Sequence, residues 1–173
     1  MPQHLQHRQH PMAVLAALVT TAMCTGAAAG DVTVSFAKQA GYSDAGPSPW
    51  EEQATLDALA KHLRALGQRH LPADQLLKVE VLDVDLAGIV RPSRRTGTPL
   101  RVVNGGADWP RITLRYTLEA PGQAPRSAEE AVTDLDYAHR LGASRATEAL
   151  HYEKQMLDAW FKARFVERRA VAG

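Results

Sequence analysis

The sequence predicts an α+β fold of two layers, a mostly antiparallel sheet with two amphipathic helices packed on one face. Three observations carry this. Several short runs alternate apolar and polar residues at the period of a strand. Two longer segments repeat leucines or aromatics three and four residues apart, the spacing of one helix face. Their order is strand, helix, three or four strands, helix, not the regular strand–helix alternation of a parallel sheet. The 173 residues, 45% hydrophobic and 23% charged, have ordinary globular composition and fit one domain.

The first 30 residues are set apart from this fold. Residues 1–11 are polar and carry Arg8 but no acid, residues 12–23 (MAVLAALVTTAM) are apolar or small, and Ala27 and Ala29 occupy the two small positions of an A-x-A ending. This is the three-part pattern of a secretory signal peptide, with cleavage expected before Gly30 or Asp31. The apolar run is shorter than the roughly 20 residues needed to span a bilayer, so no transmembrane segment is expected after cleavage. Met23 before Cys24 argues against lipidation, which needs a small residue there. The expectation is an exported, periplasmic protein whose domain is residues 31–173. Loss of Arg8 leaves 19 basic against 19 acidic residues and no cysteine. A neutral chain gives no electrostatic case for nucleic acid. Without cysteine there is no disulfide, thiolate nucleophile or Cys-ligated metal, and stability must come from the core.

Residues 32–36 (VTVSF) alternate as a strand. Ser48, Pro49 and Glu51 open a helix: the serine accepts from the first turn, proline suits the first helical position, and the glutamate reaches back to the Ser48 N–H. That helix is expected over about 50–68, with Leu56, Leu59, Leu63 and Leu66 inward and Gly67 and Pro72 bracketing its exit. Residues 77–86 read as a strand whose alternation changes phase near Leu82, the mark of a β-bulge. Residues 91–97 (RPSRRTG) read as a loop, 100–103 as a short edge strand and 104–106 as a turn. Ile112, Leu114, Tyr116 and Leu118 face one way and Arg111, Thr113, Arg115 and Thr117 the other, so this strand has one buried and one polar face. Residues 126–136 should return as its hairpin partner. A last helix is expected over about 146–168, with Leu150, Leu157, Trp160, Phe161, Arg164 and Phe165 as its inner stripe.

Residues 32–36, the run from Leu77 to Gly88, Ala107-Asp108-Trp109-Pro110-Arg111-Ile112, and Tyr152 to Leu157 with Trp160-Phe161 resemble the bacterial family catalogued as domain of unknown function 3016. The resemblance covers nearly all of the chain after the signal. It implies a small exported protein of one domain, and brings no catalytic residues or activity with it.

Two groups of residues are candidates for chemistry. Asp83 and Asp85 are two apart on a strand and share a face, and Asp136 (with Asp134) repeats the spacing on the return strand, with His139 three residues later. Brought together, Asp83, Asp85, Asp136 and His139 would suit a hard divalent metal. Alternatively these acids pair with Arg111 and Arg115 across the strands. The second group is a binding surface of Trp109, Arg111 and Arg115, tryptophan being enriched where proteins meet. His151, Glu153 and Lys154 read as a solvated helix face, and His62 and His70 as surface residues. No G-x-S-x-G, phosphate-loop, H-E-x-x-H or dinucleotide motif occurs, so no catalytic residue and no cofactor is called for. The leading expectation is a non-enzymatic accessory or binding module with a protein partner in the periplasm or envelope. The alternative is a metal-dependent hydrolase or metal-binding protein.

Overall fold

A computed structural model describes residues 30–37, 41–93, 97, 99–139 and 148–167. Residues 1–29 of the signal segment, Arg94 and Arg95 of the basic loop, the expected start of the last helix at 146, and Arg168 lie outside the described residues. The elements are β1 (Asp31–Phe36), α1 (Pro49–His70), β2 (Leu76–Asp85), β3 (Ile89–Arg91), β4 (Leu100–Val102), β5 (Arg111–Glu119), β6 (Arg126–Thr133) and α2 (His151–Phe161), which continues as a π-helical stretch over Lys162–Glu167. Four strands form a sheet in the order β1-β2-β5-β6, and β3 and β4 form a separate two-stranded ribbon. β1 runs parallel to β2, with α1 as the crossover between them; the other pairings between these strands are antiparallel, and a single parallel bridge joins Asp44 to Asp85. The fold is therefore the expected α+β arrangement with a mostly antiparallel sheet.

The patterns that predict each element also build the core. Ser48 Oγ accepts from Glu51 N at 3.3 Å and Pro49 is the first residue of α1. The Glu51 carboxylate accepts from the Ser48 hydroxyl at 2.6 Å, so the cap closes through the side chain and not through the Ser48 N–H. Leu56, Leu59, Leu63 and Leu66 are all buried against the sheet. Gly67, expected to bracket the helix exit, lies inside α1, which runs on to His70: a Cβ there would strike the Val32 side chain, so glycine lets α1 sit close on β1. In β2 the pairing with β5 shifts between Val81 and Asp83, leaving Leu82 as the extra residue of a bulge. Val79 and Val81 before it, and Val84 after it, are thereby all buried.

Alongside α1, Leu157, Phe161 and Phe165 enter the same core. Phe165 packs edge-on against Tyr116, Trp160 and Phe161, with ring centroids 5.2, 5.4 and 4.9 Å apart. Both helices thus cover one face of the sheet. The opposite face carries Thr33, Ser35, Lys78, Glu80, Arg115 and Thr117 around a shallow hollow of about 360 Å³.

Three boundaries differ from expectation. β6 ends at Thr133, because Asp134 folds back to accept from the Asp136 N–H at 3.2 Å and a turn of 3-10 helix follows over Tyr137–His139. Residues 89–91, of which the sequence assigns only Arg91, to a loop, form β3. Its partner β4 is accordingly half of the ribbon and not an edge of the main sheet. Finally, α2 begins at His151, after Leu150 in the left-handed region at φ 57°. Among the described residues no helix is long and apolar enough to cross a membrane.

Candidate functional site

The ribbon is placed by one arginine. Alternation along β4 sends Arg101 to the inner side, where it forms a two-pronged pair with Asp44 at 2.9 and 2.8 Å. It also donates to the Ala87 and Gly88 carbonyls at 3.4 and 3.3 Å. Gly88 turns the chain from β2 into β3 at φ +85°, where a Cβ would stand 2.6 Å from the Val102 carbonyl oxygen. With Arg101 inward, Ile89, which pairs with Val102, and Leu100 face outward; they are 49% and 51% exposed.

Trp109 closes the same corner and is 37% exposed. The loop before it is wound around Asp108, whose carboxylate accepts from Asn104 N (3.1 Å), Gly106 N (2.9 Å) and the Tyr137 hydroxyl (2.7 Å). Burial alone would raise the Asp108 carboxyl. The Tyr137 bond and the two N–H bonds outweigh it and hold the group below its ordinary value. Burial, together with the bond to Asp108, pushes Tyr137 up to about 12. Ile89, Trp109, Asp44, Asp85, Asp108 and Arg111 line a hollow of about 390 Å³. A rigid loop therefore presents an indole and a branched aliphatic side chain over a floor of charged groups.

Of the expected binding surface, Trp109 and Arg111 come together in this hollow. Arg115 does not: it stands on the open sheet face between Glu80 (3.0 Å) and Glu129 (2.9 Å). The candidate metal ligands are dispersed. Asp83 accepts from the Ser43 backbone N–H and hydroxyl at 2.8 and 2.7 Å, and Asp85 pairs with Arg111 at 3.0 Å. Asp136 and His139 are brought together at 3.2 Å, both largely exposed. Among the described residues no three His, Cys, Asp or Glu side chains gather where a metal could be held. The expected pairing of the acids with the arginines holds for Asp85 and Arg111, while Arg115 takes glutamates.

Several side chains sit where the sequence reading did not put them. Glu153, expected in solvent, is 3% exposed and accepts from the Ala87 N–H at 2.8 Å, tying α2 to the end of β2. Its burial pushes the carboxyl above its ordinary value despite bonds from the N–H groups of Ala87 and Glu153 itself. A signal for this exists in the sequence: Glu153 falls three after Leu150 and four before Leu157, on the inner stripe of the helix. His62, expected at the surface, is half-buried and bonds Asp158 at 2.8 Å, joining α1 to α2. His70 is half-buried and lies over Phe161, with ring centroids 6.2 Å apart. Trp50, in contrast to the other aromatics of the helices, is 78% exposed.

No curated protein matches this chain. Over residues 30–163 it matches the family described as "Protein of unknown function (DUF3016)", and with more than half of its length matched the chain belongs to that family.

Proposed function

We propose that this is an exported periplasmic protein whose domain, residues 31–173, works as a non-enzymatic accessory or binding module, with the Trp109 corner as its contact face. The observation that carries the reading is the exposure of Ile89 and Trp109 at one charged hollow, with Leu100 exposed on the same face of the ribbon as Ile89. Apolar groups that a small domain leaves exposed together mark contact sites, and a half-buried tryptophan held by a rigid loop loses little entropy on contact. The N-terminal pattern of residues 1–30 supports export. The metal reading finds no comparable support, because Asp83 is held by Ser43 and Asp85 by Arg111.

The test is crosslinking and recovery from a periplasmic extract with three proteins: the wild type, Trp109→Ala, and Trp50→Ala as an exposed tryptophan that lines no part of the hollow. A partner held by the wild type and by Trp50→Ala, and lost from Trp109→Ala, is the expected result. Recovery of the bait alone under several growth conditions, or capture indifferent to Trp109, would overturn the reading. Mass spectrometry of the same material tests export: its N-terminus should be Gly30 or Asp31, not Met1.

A further inference from the structure

A second site lies on the other side of Arg101. Between α1 and the start of α2 runs an apolar groove of about 290 Å³, walled by Pro47, Ala54, Ala58, Leu86 and Leu150. At Leu86, Arg101 and Leu150 it meets a smaller hollow of about 190 Å³, lined by His151, Tyr152 and Glu153. Leu150, at their junction, holds a left-handed backbone at φ 57°, a conformation that costs a side-chain-bearing residue about 1–2 kcal/mol and is kept only where packing imposes it.

Among the described residues, the charged groups around this cleft differ in what holds them. Arg101 is neutralised by the two-pronged pair with Asp44. Glu148, in the inner hollow, is paired with Lys154. Glu51, in the groove, accepts from the Ser48 hydroxyl. Glu153 is the most buried of these groups; Arg101 and His151 act on its charge through space, but among the described residues no cation forms an ion pair with it. A carboxyl group in such a place is expensive to ionise alone and cheap to ionise beside a cation.

We propose that this cleft binds a small organic cation, an ammonium group carried on a short apolar body, with Glu153 as its counter-charge and the Ala54–Ala58–Leu150 groove as the seat of its body. The pieces fit one another. The apolar walls reward a hydrocarbon body at roughly 25 cal/mol per Å² covered. The ammonium supplies a charged donor to the Glu153 carboxyl, which lines the inner hollow and is already held by the Ala87 N–H. An anion of the same shape is refused, because it would lie against a carboxyl group and gain nothing from an arginine already committed to Asp44.

The probes are hexylamine, hexanol and hexanoate, three molecules with one body and three head groups, titrated calorimetrically into the full chain at pH 7 with thermal melting in parallel. Hexylamine should bind and raise the melting temperature, hexanol should bind more weakly, and hexanoate should give no heat. Glu153→Gln should weaken hexylamine about tenfold or more and bring it level with hexanol. Ala58→Met, which fills the groove and leaves the carboxyl alone, should weaken both. Circular dichroism checks that each variant is folded. Should Glu153→Gln not fold, the ordering of the three probes on the wild type and the Ala58→Met result decide the matter. Equal binding of hexylamine and hexanoate, hexylamine binding unchanged by either variant, or no heat from hexylamine overturns the proposal.

Discussion

The two ends of α2 each meet a carboxyl group drawn in from solvent, and they treat it in opposite ways. At the C-terminal end Glu130 reaches in from β6 and accepts from Trp160 Nε1 at 3.0 Å, Arg164 Nε at 2.9 Å and the Tyr116 hydroxyl at 3.3 Å. At the N-terminal end Glu153 is the more deeply buried of the two and has the Ala87 N–H as its donor from another element. Burial works against ionisation at both. At Glu130 the bonds from Arg164 and Trp160 outweigh it and hold the carboxyl below the ordinary 4.5, whereas at Glu153 burial prevails and the carboxyl lies above 4.5. The difference teaches that a charge inside this fold is stabilising where its donors are built in with it. Where they are not, it is left for something else to satisfy.

The most severe way to break the comparison is to remove the aromatic packing that positions the satisfied end. Phe161 is fully buried between Trp160 and Phe165, and Phe161→Ala should cost about 3–5 kcal/mol in chemical denaturation. Next, Glu130→Ala leaves Trp160 Nε1 and Arg164 without their acceptor and should cost about 1–3 kcal/mol at pH 7. The effect should fade on acidification. A carboxyl group depressed in the folded state gives stability that is present above the unfolded value of 4.5 and lost as pH falls through the folded value.

Glu153→Gln sharpens the comparison with the reverse sign. A raised carboxyl group favours the fold below the unfolded 4.5, and that contribution is lost as pH rises through the folded value. The variant should therefore match the wild type near pH 4 and exceed it by about 1 kcal/mol at pH 8, both read from urea midpoints. The smallest effect belongs to Arg115→Ala. Its bonds to Glu80 and Glu129 lie in solvent, and the denaturation midpoint should not move measurably.

Much of the fold was legible because its signals are local. The α1 cap is set within residues 48–51, the bulge at Leu82 within one strand, and the inward row of β5 by alternation alone. What escaped depends on distant partners. Arg101 holds the ribbon through Asp44, 57 residues away, so three-residue strands that are unremarkable in sequence become an element. β6 reads as weakly alternating because Glu130 occupies an inward position, and its reason for being there, Arg164, is 34 residues on. Glu153 falls at the spacing of the inner stripe, three after Leu150 and four before Leu157, but reads with His151 and Lys154 as a solvated face. Periodicity was the better guide, since a helix face packed against a sheet buries whatever side chain stands on it. The candidate site was legible in part: Trp109 and Arg111 meet as the sequence suggested, but the hollow they share needs β3, which the sequence did not reveal.

The central claim is that Glu153, a buried carboxyl with no ion-pair partner among the described residues, is kept for a cation. The most direct test is a pH titration of its side-chain carbon by NMR in the full chain, with and without hexylamine. The free protein should show a midpoint above the ordinary 4.5, moving down when the amine is present. A midpoint at or below 4.5 that the amine does not move would contradict it.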